Sequence, residues 1–250
     1  MQHEQLGQIV RSAGALVREA QHIEDSVREK TSPRDLVTKY DTSVQEFLRR
    51  ALKEALPEAG FFGEEEQAHE IAGKRAWFIV DPIDGTTNFI HDFHHSVISL
   101  AYAEQRVTKY GIVYCPYTGE VFEARLGEGA WCNGVPMKVS QKTSLSQCLI
   151  STGTSPAYRD CTDVTFARMR RIFERCQDIR RIGSAALELS YLACGRLDGF
   201  YEEILKLWDY AAAQLMIREA GGIAVEYGEG FLAGTPKIME ELRTVIEGDK

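Results

Sequence analysis

Asp81 and Asp84 stand three residues apart in the run Trp77-Phe78-Ile79-Val80-Asp81-Pro82-Ile83-Asp84-Gly85-Thr86-Thr87-Asn88-Phe89. Two carboxylates followed at once by a glycine and two threonines suit a divalent cation held beside a phosphate. The aromatic and β-branched stretch Trp77 to Val80 has the composition of a short buried strand, which delivers the carboxylates to its C-terminal end. Pro82 fixes its own φ and pushes Asp81 toward an extended backbone. Gly85 permits a positive φ or a close approach, and Thr86 is placed to cap a following helix whose free N–H groups attract an anion. Asp-Pro and Asp-Gly are also common turn formers, so this run alone leaves an ordinary loop open.

A hard cation such as Mg²⁺ takes near-octahedral oxygen ligation, and two aspartates are too few to hold it firmly. Further acids lie at two places. Gly60-Phe61-Phe62-Gly63-Glu64-Glu65-Glu66 reads by composition as a solvated acidic loop. Leu207-Trp208-Asp209-Tyr210-Ala211-Ala212-Ala213 opens a helical pattern in which Asp209 reads as an N-cap.

In combination, Gly63-Glu64-Glu65, the Asp81–Phe89 run and Trp208-Asp209 with Ala211-Ala212 resemble, in this order, the signature of the inositol monophosphatase family, bacterial type, within the fructose-bisphosphatase-like group of metal-dependent sugar phosphatases. Lys30 to Thr38, with Asp41, looks like that family's mobile loop and following helix. Gly127-Glu128-Gly129-Ala130 with Asn133-Gly134 looks like its mid-chain hairpin. The resemblance implies a five-layer α-β-α-β-α sandwich of the α+β or α/β class. It implies one domain over residues 1–250, with halves of about 1–140 and 141–250 and the active site between them.

The resemblance also implies a ligand set. Glu64, Asp81 and the carbonyl of Ile83 would hold one Mg²⁺, and Asp81, Asp84 and Asp209 a second, with Glu64 near a weaker third. Thr86 and Asp41 would position and deprotonate a water, with Glu64 completing the catalytic set; Asp41 could equally be the N-cap of a helix over 42–56. Asp84, Gly85, Thr86, Gly183, Ser184, Ala185, Glu202 and Asp209 would bind substrate, with Arg180 at the sugar pocket. The implied activity is Mg²⁺-dependent hydrolysis of inositol monophosphate to inositol and phosphate by direct attack of water. Fructose-1,6-bisphosphate, histidinol phosphate or a nucleotide phosphate are the alternative substrates within the group. Lithium sensitivity, a homodimer and, for some bacterial members, contact with transcription machinery also follow from the resemblance.

Composition agrees. The chain has 250 residues, 44 % hydrophobic, enough for a substantial core, and no apolar run approaches the length of a membrane span. Residues 1–30 are amphipathic and lack a signal-peptide core, so a cytoplasmic protein is expected. The six cysteines show no Cys-x-x-Cys pair and read as free thiols. A formal charge of −8 argues against broad binding to nucleic acid or an anionic membrane. Arg168, Arg170, Arg171, Arg175, Arg180 and Arg181 crowd one stretch, which reads as a solvated helix surface with Arg180 set apart. His91, His94 and His95 follow the acidic run and read as loop residues.

The elements that must position these groups follow from periodicity. An opening helix turns Leu6, Ile9, Val10, Ala13, Leu16, Val17, Ala20 and Ile23 inward, and a second turns in Val44, Phe47, Leu48, Ala51 and Leu52. Strands at 77–80, 96–103, 107–114 and 120–125 form successive antiparallel neighbours. Beyond about residue 140 the pattern alternates: strand 148–151, helix 162–176, strand 179–182, helix 184–194, strand 198–201, helix 209–220, strands 223–226 and 231–234, and helix 236–246.

Overall fold

Helix α1 (His3–Arg18) repeats apolar residues every three or four positions, and Leu6, Val10, Ala13 and Val17 are buried. It packs on α2 (Lys39–Ala55), and both lie against a seven-stranded sheet through Leu48, Leu52, Phe78, Ile98 and Tyr110. The computed structural model describes residues 3–66 and 73–248. Between the two helices a small antiparallel pair, β1 (Arg28–Glu29) and β2 (Leu36–Val37), frames the loop that begins at Lys30. Helix α1 stops at Arg18, short of the expected Ala20 and Ile23. Both still pack on the same core, from a segment that Tyr40 ties down through its hydroxyl bond to the Gln21 carbonyl, 2.7 Å.

The large sheet runs in the order β3 (Gly60–Gly63), β4 (Ala76–Asp84), β5 (Val97–Glu104), β6 (Val107–Tyr114), β7 (Val121–Arg125), β8 (Gly129–Cys132) and β9 (Val135–Pro136). All neighbours are antiparallel except β3 and β4. The expected acidic loop is in part this edge strand: Gly60 to Gly63 pair with Trp77 to Val80. The short helix α3 (Thr86–Ile90) leaves the end of β4.

The second sheet has the order β11 (Asp178–Arg180), β10 (Leu149–Thr152), β12 (Gly199–Glu202), β14 (Gly230–Gly234) and β13 (Ile223–Tyr227). Helices α5 (Ala185–Ala193) and α6 (Leu207–Glu219) fill the space between the sheets, and α4 (Thr162–Phe173) and α7 (Met239–Glu247) cover the outer face of the second. The layers are therefore α-β-α-β-α, the sandwich the resemblance implies. Small residues make the middle tight. A Cβ at Gly111 of β6 would lie 2.6 Å from the Ala212 carbonyl oxygen, so glycine there lets α6 rest directly on the sheet.

Candidate metal centre and adjoining cavity

Asp81 and Asp84 belong to β4 itself, which runs past the expected end at Val80. The register with β5 shifts between them, where Pro82 has no N–H to give the ladder. Asp81 Oδ1 accepts the Ile83 amide at 3.0 Å, and Asp84 Oδ2 accepts the Ser184 hydroxyl at 2.6 Å and the Ala186 amide at 2.7 Å. Asp84 is thereby seated on the first turn of α5, where amide donors and the helix dipole favour an anion.

Asp209 arrives from the other side of the cavity. It is the third residue of α6, and its Oδ2 accepts the Lys206 amide at 2.7 Å. The expected N-cap role therefore belongs to Lys206, with Asp209 reaching back one turn, as acids at this position do. Asp81, Asp84 and Asp209 each place a carboxylate oxygen within 4.8 Å of the others.

Burial pushes all three acids up; repulsion from the neighbouring acids adds to it for Asp81 and Asp209, while the bonds from Ser184 and Ala186 hold Asp84 back. Asp84 is pushed up to about 6, while Asp81 and Asp209 are raised well above the ordinary carboxylate range. Glu64 contributes: it follows β3, its amide bonds the Val80 carbonyl at 3.1 Å, and its carboxyl meets that of Asp81. Lys30 Nζ sits 2.9 Å from Glu64 Oε1 and also reaches Glu65. An all-oxygen donor set whose charges the protein leaves short of compensation fits a hard divalent cation, and the three aspartates can form one such site.

Beside it lies a hydroxyl–carboxylate pair. Thr86 Oγ1 lies 3.1 Å from Asp41 Oδ1 and 3.2 Å from the Ile83 carbonyl, so its single proton serves one of them at a time. Neither residue is an N-cap. Gly85, with φ 90°, holds that position before α3, and Thr86 is the first helical residue. Thr38 caps α2, and Asp41 answers it three residues on, its Oδ2 accepting the Thr38 amide at 2.7 Å and hydroxyl at 2.6 Å. Burial raises Asp41 above the ordinary range. Gly85 needs its missing side chain twice over: for its positive φ, and because a Cβ would lie 3.0 Å from the His95 carbonyl.

One cavity gathers Glu64, Asp81, Ile83, Asp84, Gly85, Thr86, Gly183, Ser184, Ala185, Glu202 and Asp209. Asp41 stands behind Thr86. Arg180 is not brought in: it ends β11, half-exposed, with its guanidinium on Asp178 at 2.5 Å. The next residue points the other way, and Arg181 lines the cavity with Nη2 on Thr154 Oγ1 at 2.9 Å. Two more residues support the site, Glu188, which lines the cavity and carries no local signal, and Asn88 of the Trp77–Phe89 run. Glu188, buried on α5, accepts the Ser151 hydroxyl and the Ile182 amide, each at 2.6 Å, and burial pushes it up to about 7. Asn88 donates to the His95 and Ile182 carbonyls at 2.9 Å each, stitching the turn after α3 to the turn before α5.

The other candidate groups have structural partners. His94 stacks on Tyr117 and bonds Asp92, and His95 bonds the Phe93 carbonyl, as loop residues. All six cysteines are free. In the arginine stretch Arg170, Arg175, Arg180 and Arg181 are exposed, as a solvated surface would be, while Arg168 and Arg171 are half-buried. Arg168 is bonded to Glu203 and Tyr201, and Arg171 caps the last carbonyls of α7, donating to Ile246 at 2.6 Å. Among the described residues no helix is long and apolar enough to cross a membrane.

Residues 4–249 match the model of the inositol monophosphatase family. The inositol-1-monophosphatase of Rhizobium meliloti is 37% identical over 238 residues, 92% of this chain and 88% of that protein. The Nus factor SuhB of Pasteurella multocida is 33% identical over 246 residues, 95% and 92% of the two chains. The crystal structure of the extragenic suppressor protein suhB from Bartonella henselae superposes with a TM-score of 0.92 at 33% identity, covering 99% of each chain.

Proposed function

The chain belongs to the inositol monophosphatase family, and on that premise we propose that it is a Mg²⁺-dependent phosphomonoesterase acting on inositol monophosphate. The observation that carries the reading is the convergence of Asp81, Asp84 and Asp209 within 4.8 Å of one another, in a cavity that Thr86 and Glu202 also line. Glu64 and the Ile83 carbonyl extend this donor set, enough for two or three ions.

Bound Mg²⁺ supplies charge neutralisation at the phosphoryl oxygens and an acidified water. The protein's own part is proton handling and orientation. Thr86 donates its hydroxyl hydrogen bond to Asp41, which leaves its oxygen lone pairs to accept from an attacking water; as that water attacks, its proton passes to Thr86 and that of Thr86 to Asp41. Asp41, raised by burial, is the stronger base for it. Gly85 and Thr86 offer backbone N–H groups to the phosphate. Ser184, Ala185 and Glu202 face the alcohol side, where a carboxylate suits ring hydroxyls and repels a second phosphate. Arg181, rather than Arg180, is the cation placed to moderate that repulsion. Water attacks directly, without a covalent phosphoenzyme.

Hydrolysis of a panel of phosphomonoesters, with and without Mg²⁺ and Li⁺, tests the reading. The panel should contain inositol 1-phosphate, fructose 1,6-bisphosphate, histidinol phosphate, 2′-AMP and p-nitrophenyl phosphate. Inositol phosphate should be turned over with the highest kcat/KM, only with Mg²⁺, and Li⁺ should inhibit. A preference for any other ester removes the substrate assignment; turnover without a divalent cation removes the metal assignment.

A further inference from the structure

Ser155 combines features that its place in a loop does not require. It is buried, 4 % exposed, and it holds φ at 41°, a left-handed conformation that costs a serine about 1 kcal/mol or more. Its amide and hydroxyl both converge on Oε1 of Glu202, at 2.9 Å and 3.1 Å. The same hydroxyl oxygen accepts the Ile204 amide at 3.2 Å and lies 3.2 Å from the Ile204 carbonyl. With one proton it donates to Glu202 or to that carbonyl, and an ionised carboxylate is the stronger acceptor.

The surroundings leave the carboxylate little freedom. Gly153 closes over it so tightly that a Cβ there would lie 1.9 Å from the carboxyl group. Both bonds fall on Oε1, and among the described residues Oε2 accepts none. Glu202 therefore has Oε1 held by Ser155, while Oε2 lies against Gly153, a glycine that lines the same cavity. Arg181 steadies its charge, and burial pushes it up to about 7.

We propose that Ser155 is a positioning residue for substrate selectivity: its left-handed backbone turns amide and hydroxyl together onto Oε1 of Glu202, aiming Oε2 at a ring hydroxyl of the alcohol half of the substrate. The role rests on the reading of the enzyme as an inositol phosphatase and sharpens it. Ser155 also fixes the start of the segment 203–206, whose last residue bonds Asp209, so the strained serine ties the selectivity carboxylate to the metal side of the cavity.

The test compares kcat/KM for inositol 1-phosphate with that for p-nitrophenyl phosphate, whose leaving group has no ring hydroxyls to recognise. Ser155→Ala removes the hydroxyl and keeps the backbone cost. Ser155→Gly removes the hydroxyl and relieves the cost, so it should melt higher than Ser155→Ala. In both, the ratio of the two kcat/KM values should fall about tenfold, the loss expected for one hydrogen bond to a charged group. The fall should reside mainly in KM for inositol phosphate. Adding Ser155→Ala to Glu202→Ala should lower the ratio no further, since the serine acts through the glutamate. A wild-type ratio in both serine variants overturns the role, as does a further fall in the double variant. If the wild-type protein does not hydrolyse inositol 1-phosphate at all, the substrate assignment fails first, and the selectivity role with it.

Discussion

Asp84 is the residue on which the site turns. It is held by donors that lie one hundred and more positions downstream, and one of its oxygens lies within 4.8 Å of oxygens of Asp81 and Asp209. Asp84→Asn keeps an oxygen for Ser184 and Ala186 but gives up the charge. Asp209→Asn likewise keeps an acceptor for the Lys206 amide. Either variant should lose Mg²⁺-dependent phosphatase activity by more than the roughly 10- to 100-fold expected when only an outer partner of a ligand is removed. Its circular dichroism and melting temperature should stay at wild-type values or rise, since a crowded negative charge has gone. Substantial turnover in either variant would exclude these carboxylates as ligands. At this scale the sequence was readable where chemistry and spacing coincide, as in Asp81, Asp84, Gly85 and Thr86. It was misleading by one position at Arg180, because the end of a three-residue strand does not reveal which neighbour faces inward. Ser155 and Glu188 were invisible, since their partners are remote in sequence.

At the scale of elements, α5 does more than fill the space between sheets. Its first turn receives Asp84, and its Glu188 binds β10 through Ser151 and the exit of β11 through Ile182. Glu188→Ala leaves the Ile182 amide without an acceptor and the Ser151 hydroxyl with only the Arg180 carbonyl at 3.2 Å, and should cost about 1–3 kcal/mol of stability. Glu188→Gln keeps an amide oxygen at the same place and should cost less than about half of that. Chemical denaturation of the two variants measures the difference. Equal losses would show that the packing of the side chain, and not its accepting oxygen, matters. Most elements were legible from periodicity, because apolar residues at helical or alternate spacing have one way to be buried. The edge strand Gly60–Gly63 was not, since four residues with two glycines carry no period and its pairing partner lies beyond a connection of a dozen residues. Both helix starts at Asp41 and Asp209 were read three residues late: an acid that answers the cap from the first turn has the same composition as a cap.

Over the whole molecule the buried acids set the response to pH. Glu65, Glu188 and Glu202 are pushed from 4.5 up to about 7, and Asp84 from 3.8 up to about 6, burial being the first cause of each. Between those limits the folded protein holds protons that the unfolded chain has released, so stability falls as pH rises. The melting temperature of the metal-free protein should drop by roughly 5 °C or more between about pH 5 and pH 7.5. Mg²⁺ should recover much of the loss at the upper end, with release of protons on binding. A melting temperature that is flat or rises over this interval would show that the acids are not held protonated. The two-sheet arrangement also has a consequence in time. The carboxylates of β4 are synthesised long before Ser184, Ala186 and Asp209, which come from the last third of the chain. A ribosome-bound chain that has made the whole large sheet still lacks Asp209, one of the three clustered carboxylates, and the Ser184 and Ala186 donors that seat Asp84. On the proposed reading, the unfinished protein would have no tight claim on cellular Mg²⁺ and no hydrolytic power, and both would arrive together as α6 docks.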